Sequence, residues 1–469
     1  MSRPAKRAVA LSGITEWKKG QRLLRLVHVQ SAAVSPAVQP LSPTPGVASR
    51  EYAWSYTQPY RNPFVVAIVF GVVALTILLF GIRNPRAMFY DEGYFVPESK
   101  VFIHGPSVVN PPQEKPPLGE FLLAQGIKAA GDNSFGWRIA GGICGALTVV
   151  AVFVWAYLLL QDLHLASLAA GLALFNHFLF VMSRIGMMDA YLMVFLIWSL
   201  AAFTASLVLQ VSVGARRLLF CASGVLVGLA GACKWNAVDT LAVLVLVTFA
   251  LYALDWLPSK RWNMLSRYVE NVREIGLPFL IVGMIAVPVA AYSLTFWPLC
   301  RAVHRPFTVA ELVTMHKSIW HFHTVNQWNP AITLAWYRWP LNLSPQRALS
   351  YLVGNPVVTF GGLAALGFCV FRLCKEIHLP EIMVSLLFAA NYLQWVVTPE
   401  KGLFYYYYYP SVMMLGMAIA VALHRLPARV FGVRVSLLVL LAAVVIFVRC
   451  YPQMAHLEAP WDCALGCWS

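Results

Sequence analysis

The sequence predicts an all-α polytopic membrane protein, and three observations carry that prediction. Its 469 residues are 59% hydrophobic and only 12% charged, with a mean hydropathy of +0.66, whereas soluble chains carry about 25% charged residues. Apolar stretches close to the roughly 20 residues that cross a bilayer recur along its length. Lys and Arg gather in alternate connections between those stretches, the pattern that orients membrane proteins. The stretches fall at about 63–83, 139–159, 164–182, 188–211, 218–233, 237–257, 275–297, 351–373, 379–397, 403–423 and 429–448, which predicts 11 transmembrane helices. Two long loops, 84–138 and 298–350, then share one side of the membrane.

Residues 1–62 open with Lys6, Arg7, Lys18, Lys19, Arg22 and Arg25 and continue as a Ser/Pro/Ala/Val stretch through Pro45. This reads as a basic cytoplasmic tail, disordered or interfacial, with too few apolar residues to fold as a domain. It lacks the early apolar core of a cleaved signal peptide, so the stretch at 63–83 is expected to anchor the chain. With the N-terminus cytoplasmic, every cytoplasmic connection except the short one at Asp162 is basic. Arg216 and Arg217 lie in one; Lys260, Arg261, Arg267 and Arg273 in the next; Arg372 and Lys375, then Arg425, Arg429 and Arg434, in the last two. The net charge of +15 therefore reads as topology and contact with anionic headgroups. No soluble basic domain is left to bind nucleic acid. Residues 63–450 form the membrane domain and 451–469 an outer tail. The stretch at 218–233 is short for a span and fits a tilted or partly re-entrant segment. Cys144, Cys221, Cys233, Cys369 and Cys374 lie in or beside spans as small apolar fillers. Cys300, Cys450, Cys463 and Cys467 fall on the outer side, where Cys463 can pair with Cys467 or either of them with Cys450.

The polar residues that remain crowd the outer face. Asp91 and Glu92 follow the first span, and a carboxylate there can act as general base for a hydroxyl or ligate a divalent cation. Lys115-Pro116-Pro117 presets an extended turn ahead of a short apolar helix, Phe121 to Ala130, expected to lie in the interface. Arg138, Arg184 and Lys234 stand at outer ends of three spans. One such cation can merely snorkel to lipid phosphates; three on the face that holds an acid pair point to a polyprenyl phosphate. Asp189, Trp235 and His323 accompany them as substrate-binding candidates, with Tyr407 drawn from the run Tyr405–Tyr409. Five consecutive tyrosines wrap every face of a helix, so some are expected in a headgroup belt and one or two in the cavity. His304, His316, His321 and His323 do not match a zinc spacing, and no metal site is expected. Asn236 and Asp239 read as the start of a helix.

With these residues in hand, the chain resembles the protein O-mannosyltransferase family, multi-span glycosyltransferases of the GT-C class. Tyr90-Asp91-Glu92-Gly93-Tyr94 looks like that family's Asp-Glu motif. Pro116-Pro117-Leu118-Gly119, followed by Gly131 to Arg138, is similar to its proline motif and arginine. Ser183-Arg184-Ile185-Gly186-Met187-Met188-Asp189 and Lys234-Trp235 follow, then Phe322-His323-Thr324, Trp339-Pro340 and Gly354-Asn355-Pro356, all in the family's order. The resemblance implies transfer of mannose, with inversion, from a polyprenyl phosphate to Ser or Thr hydroxyls of exported proteins. Asp91, with Glu92 beside it, would be the catalytic acid pair. Arg138, Arg184 and Lys234 would hold the donor phosphate. The resemblance implies no cofactor beyond the lipid-linked donor, and a bacterial plasma-membrane enzyme, because the soluble luminal domain of eukaryotic members has no counterpart. The active site would face the periplasm or the exterior. The chain departs from the family in carrying Lys115 before Pro-Pro-Leu-Gly, where His is usual, and Glu120 after it, where Lys is usual. Lys-Pro-Pro-Leu is the form carried by lipid A aminoarabinose transferases, so sugar transfer to lipid A or another envelope glycolipid is the alternative. A flippase for the lipid-linked sugar is the non-enzyme alternative, and it calls for charges at mid-membrane depth.

Overall fold

The computed structural model describes residues 61–106, 114–254, 256, 264–325, 333–341, 354–398, 403–430 and 432–456. The basic tail, Lys260, Arg261, Gln327–Pro330, Glu400, Lys401, Cys463 and Cys467 lie outside the described residues.

Capping residues decide where most of the helices begin. Asn62 accepts a hydrogen bond from the Phe64 amide and Pro63 takes the first position of α1, Pro63–Leu79, as an N-terminus favours. This helix is apolar on all sides, with Phe64, Ile68 and Val72 exposed and Ala74 and Leu78 buried, the character of a lipid-facing segment. Two short helices follow on the same face: α2, Glu92–Ser99, and α3, Leu118–Ala130. Asn133 caps α4, Ser134–Leu160, so this span starts earlier than expected and takes Arg138 into its first turns. The expected span 164–182 is broken. Asp162 caps α5, Leu163–Leu174, and Asn176 caps α6, His177–Ser183. The two are bent by 56°, because a capping side chain accepts from the amides of a new helix start and interrupts the old helix.

Helix α7, Met188–Val208, leads to α8, Val213–Cys233, which Ser212 caps. At 21 residues α8 is a full-length helix, correcting the reading of 218–233 as a short or re-entrant segment. After α9, Ala237–Leu254, comes the amphipathic α10, Ser266–Ile275. Arg267 and Asn271 of α10 donate to the Val208 and Leu207 carbonyls, capping the end of α7. The remaining helices are α11, Leu277–Ala302, α12, Val309–Val325, α13, Pro356–Lys375, α14, Leu379–Val397, α15, Tyr409–Arg425, and α16, Val435–His456. A two-residue antiparallel ladder pairs Arg429 with Arg434 between the last two helices.

The chain is a multi-pass membrane protein. Among the described residues nine helices are long and apolar enough to cross a membrane, or ten if α5 and α6 count as one span. The 17-residue α1 falls below that length, so this measure does not reach the expected 11. Two segments form the centre: α7 is 83% buried, and Tyr405–Arg425 is 94% buried. By contrast α11, α13 and α16 are each 22% buried and turn their apolar sides outward. Helix α7 packs between α4 and α8, while α13, α14 and α5 surround α15.

Helix α11 widens to a π turn at Val282–Ala286, just before Pro288, a common accommodation for a residue that cannot continue the α ladder. Its backbone there runs against Gly224 and Gly228 of α8. A side chain at Gly224 would strike the Gly283 carbonyl, and one at Gly228 the Pro288 carbonyl. Gly224→Leu is therefore expected to destabilise the protein by about 1–3 kcal/mol, the usual cost of overpacking. A thermal melt in detergent that matched the original chain would show that the two helices are not in this contact.

Candidate active site

One end of the bundle collects the N-termini of α2, α7, α9 and α15 and the C-terminus of α8. Tyr90 precedes Asp91 with φ +54°, a left-handed conformation that a bulky residue adopts only where its surroundings hold it. Asp91 then stands at the start of α2, but its carboxylate does not cap the helix. Its Oδ2 accepts a hydrogen bond from the Tyr406 hydroxyl at 3.3 Å. Among the described residues it forms no ion pair. Burial pushes the Asp91 pKa above the ordinary aspartate value, Lys115 and Lys234 pull it down, Asp189 raises it and the Tyr406 hydrogen bond lowers it. The net direction is upward, so desolvation outweighs two nearby cations.

Lys234 closes the C-terminus of α8. Its ammonium donates to Asp189 Oδ1 at 2.9 Å and Oδ2 at 3.1 Å, and Asp189 lies in the first turn of α7. The same ammonium stands over the Tyr407 ring at 4.4 Å and the Tyr406 ring at 4.9 Å, within cation–π range. Lys115 is nearly buried, its ammonium 3.9 Å from the Phe95 ring centroid. Behind it lie Glu98 and Glu120. Burial and the neighbouring Glu114 push Glu98 up to about 7, and burial together with Glu98 drives Glu120 well above the carboxylate range. Two such carboxyls side by side cannot both ionise.

Lys115, Lys234, Trp235, His323 and Tyr407 line a cavity of about 640 Å³. Asp91 adjoins this polar end, where both lysine charges act on its carboxyl. The other end is apolar, walled by Val227 and Gly228 of α8, Val238 and Leu241 of α9, and Pro288 and Val289 of α11. Val238 and Val289 are exposed on the outer surface of the bundle, so the apolar end reaches the lipid side. A relay of side chains braces one wall. The His316 ring nitrogen Nδ1 lies 2.6 Å from the Leu312 carbonyl and therefore carries a proton. His316 Nε2 then accepts from the Tyr292 hydroxyl at 2.7 Å, and the Tyr292 oxygen accepts from Trp235 Nε1 at 3.0 Å. His323 reaches the Glu114 carbonyl at 2.8 Å through Nε2.

Three expected site residues stand elsewhere. Arg138 has no exposed surface, and all five of its N–H groups are engaged. Two donate to the Glu92 carboxylate at 2.7 Å each, and the rest to the Ile82, Pro85 and Ala87 carbonyls. Glu92, equally buried, also accepts from the Phe89 and Gly186 amides. No N–H of Arg138 is left for a phosphate and no lone carboxylate oxygen of Glu92 for a substrate. This corrects both expectations: the pair pins the segment 82–92 onto α4 and so holds Asp91 from below. Arg184 is buried too and donates to the Leu78 and Phe80 carbonyls at the end of α1, where a cation offsets the helix dipole. The tyrosine run is also unlike its expectation. Tyr405–Tyr408 form a 3₁₀ turn, and all five tyrosines are buried. Tyr407 stacks on Trp395, while Tyr406 alone of the five hydrogen-bonds Asp91. Nothing in the sequence separates Tyr406 from its neighbours, and Tyr292 carried no signal. His316 was visible only as one of several histidines. Among the described residues no three His, Cys, Asp or Glu side chains converge as a metal site requires.

Comparison with known proteins finds one family, one relative and two solved structures of note. Residues 109–304 match the protein family described as dolichyl-phosphate-mannose-protein mannosyltransferase. The polyprenol-phosphate-mannose–protein mannosyltransferase of Mycolicibacterium smegmatis is 24% identical over 459 residues, covering 83% of this chain and 85% of the relative. Among solved structures, the S. cerevisiae protein O-mannosyltransferase Pmt1-Pmt2 complex bound to the sugar donor aligns over 87% of this chain and 92% of that chain, at a TM-score of 0.70 and 13% identity. ArnT from Cupriavidus metallidurans bound to undecaprenyl phosphate aligns over 86% and 67%, at a TM-score of 0.57 and 18% identity. Likeness at such identities speaks for the fold.

Proposed function

The chain belongs to the protein O-mannosyltransferase family, membrane glycosyltransferases of GT-C fold, and from that premise we propose how this chain's residues perform the transfer. The enzyme moves a mannosyl residue from polyprenyl-phosphate mannose to a Ser or Thr hydroxyl of an exported protein. In this reading the lipid chain enters the cavity between Val238 and Val289, and the phosphate meets Lys115 and Lys234 at the polar end. The acceptor oxygen attacks the sugar C1 from the face opposite the phosphate. The bond from C1 to the phosphate oxygen breaks, its electron pair leaves with the polyprenyl phosphate, and the hydroxyl proton passes to Asp91. One displacement inverts C1. The two lysines offset charge growing on the leaving phosphate in a site with little water, so the proposal needs no cofactor and no divalent cation.

The observation that carries this reading is a half-buried carboxylate, outside any ion pair among the described residues, under the influence of two cations that line the polar end of a cavity whose far end is apolar. A carboxylate with a raised pKa suits a general base. The basic cytoplasmic connections support a cytoplasmic N-terminus and a site on the outer face of the plasma membrane.

The test is a transfer assay with purified enzyme and radiolabelled polyprenyl-phosphate mannose, offering a Ser/Thr-rich peptide and lipid A together. Label is expected on the peptide. Label on lipid A alone would assign the acceptor to an envelope glycolipid, the choice that Lys115 in place of His leaves open. Donor bound and flipped across vesicles with no transfer would replace the enzyme reading by a flippase.

A further inference from the structure

Tyr406 sits where three parts of the site meet. Its hydroxyl donates to Asp91 Oδ2 at 3.3 Å, and its ring lies edge-on to Tyr90 with centroids 5.9 Å apart. The same ring stands 4.9 Å below the Lys234 ammonium. Tyr407 packs edge-on against it at 4.8 Å and Phe404 stacks on it at 5.6 Å. It is 2% exposed, so these contacts leave it one position. Asp91, meanwhile, has no hydrogen bond to its Oδ1 among the described residues, and the neighbouring cation Lys234 is bound to Asp189.

We infer that Tyr406 is a positioning residue of the transfer reaction: its hydroxyl occupies Asp91 Oδ2 and turns Oδ1 toward the acceptor hydroxyl, while its ring spaces that base from the Lys234 ammonium. This rests on the reading of Asp91 as general base. Two consequences follow from the chemistry. A hydrogen bond donated to a carboxylate favours its charged form, so Tyr406 adds to Lys115 and Lys234 in opposing the cost of burying Asp91. A carboxylate with one oxygen tethered loses little rotational freedom on meeting the acceptor, and a fixed base is worth more than a swinging one. Lys115, Lys234, Asp189, Glu114 and the Tyr90 hydroxyl also bear on the charge of Asp91. Of these and Tyr406, only Tyr406 hydrogen-bonds it.

The test is Tyr406→Phe, which keeps the ring, its stacking and its place under Lys234 but removes the hydroxyl. With wild-type enzyme active on the Ser/Thr peptide, kcat is expected to fall about tenfold, the weight of one hydrogen bond to a charged group. KM for the donor should stay unchanged, and the acid limb of the pH–rate profile should move up, because the donor that favours the charged carboxylate is gone. In the Asp91→Asn background the same change is expected to cost nothing further, since Tyr406 acts through Asp91. A full-rate Tyr406→Phe enzyme with an unmoved acid limb would overturn the inference, as would losses that multiply in the double variant. If wild type itself transfers nothing to the peptide, the proposed function fails first. The hydrogen bond is then tested alone by the Asp91 carboxyl titration in the infrared, where an unchanged midpoint in Tyr406→Phe overturns it.

Discussion

Asp91→Asn is expected to cut turnover by roughly 10²–10⁴-fold, the usual contribution of a positioned base, while donor binding and the melting temperature hold. The amide is nearly isosteric and can still accept from the Tyr406 hydroxyl, but it cannot take up the acceptor's proton. The wild-type pH profile is part of the prediction. Asp91 must be ionised to act, and burial has raised its pKa, so activity should fall with decreasing pH along a limb lying above the ordinary aspartate value near 3.9. That limb should vanish from the residual rate of the variant. Kinetics of both enzymes across the mildly acidic to neutral range, read as kcat/KM, check it. An Asp91→Asn enzyme of near-normal rate would remove Asp91 from the chemistry.

A second large effect concerns stability. Arg138→Ala is expected to cost about 3–5 kcal/mol, the penalty for leaving one partner of a buried ion pair uncompensated. Glu92 would be left without its counter-charge and with no exposed surface, and three carbonyls would lose their donors. Arg138→Lys should recover little, because an ammonium offers three donors to a site that uses five. Melting temperature and yield in detergent measure this. A phosphate-binding arginine would behave oppositely, raising KM for the donor while the melting temperature stayed put.

The contrast between Asp91 and Arg138 marks how far the sequence could be read. Span positions were legible because apolar length and basic connections are local properties. Charges at span ends were legible as a group, and Lys115, Lys234 and Trp235 do line the cavity. What a charge touches is not local. Arg138 and Arg184 look like phosphate ligands until the chain between α1 and α2 folds back and presents its carbonyls to them. The acid pair was likewise one motif in sequence and two roles in space, since consecutive residues at a helix start point apart. The tyrosine run misled for a related reason. A helical count sends five tyrosines to all faces, but 405–408 coil as a 3₁₀ turn at the head of a helix surrounded by others. The break in the expected 164–182 span was within reach, because Asn176 inside an apolar run is a helix cap in waiting.

The hydrogen bond from Tyr406 to Asp91 joins residues 315 positions apart. Lys115 and Lys234 come from the first half of the chain, so the cationic end of the cavity can assemble as the early spans enter the membrane. The base is tethered only when α15 has been made, inserted and docked. Catalytic competence thus arrives late in biogenesis, and a stalled or truncated chain would own a donor-binding cleft without an aligned base.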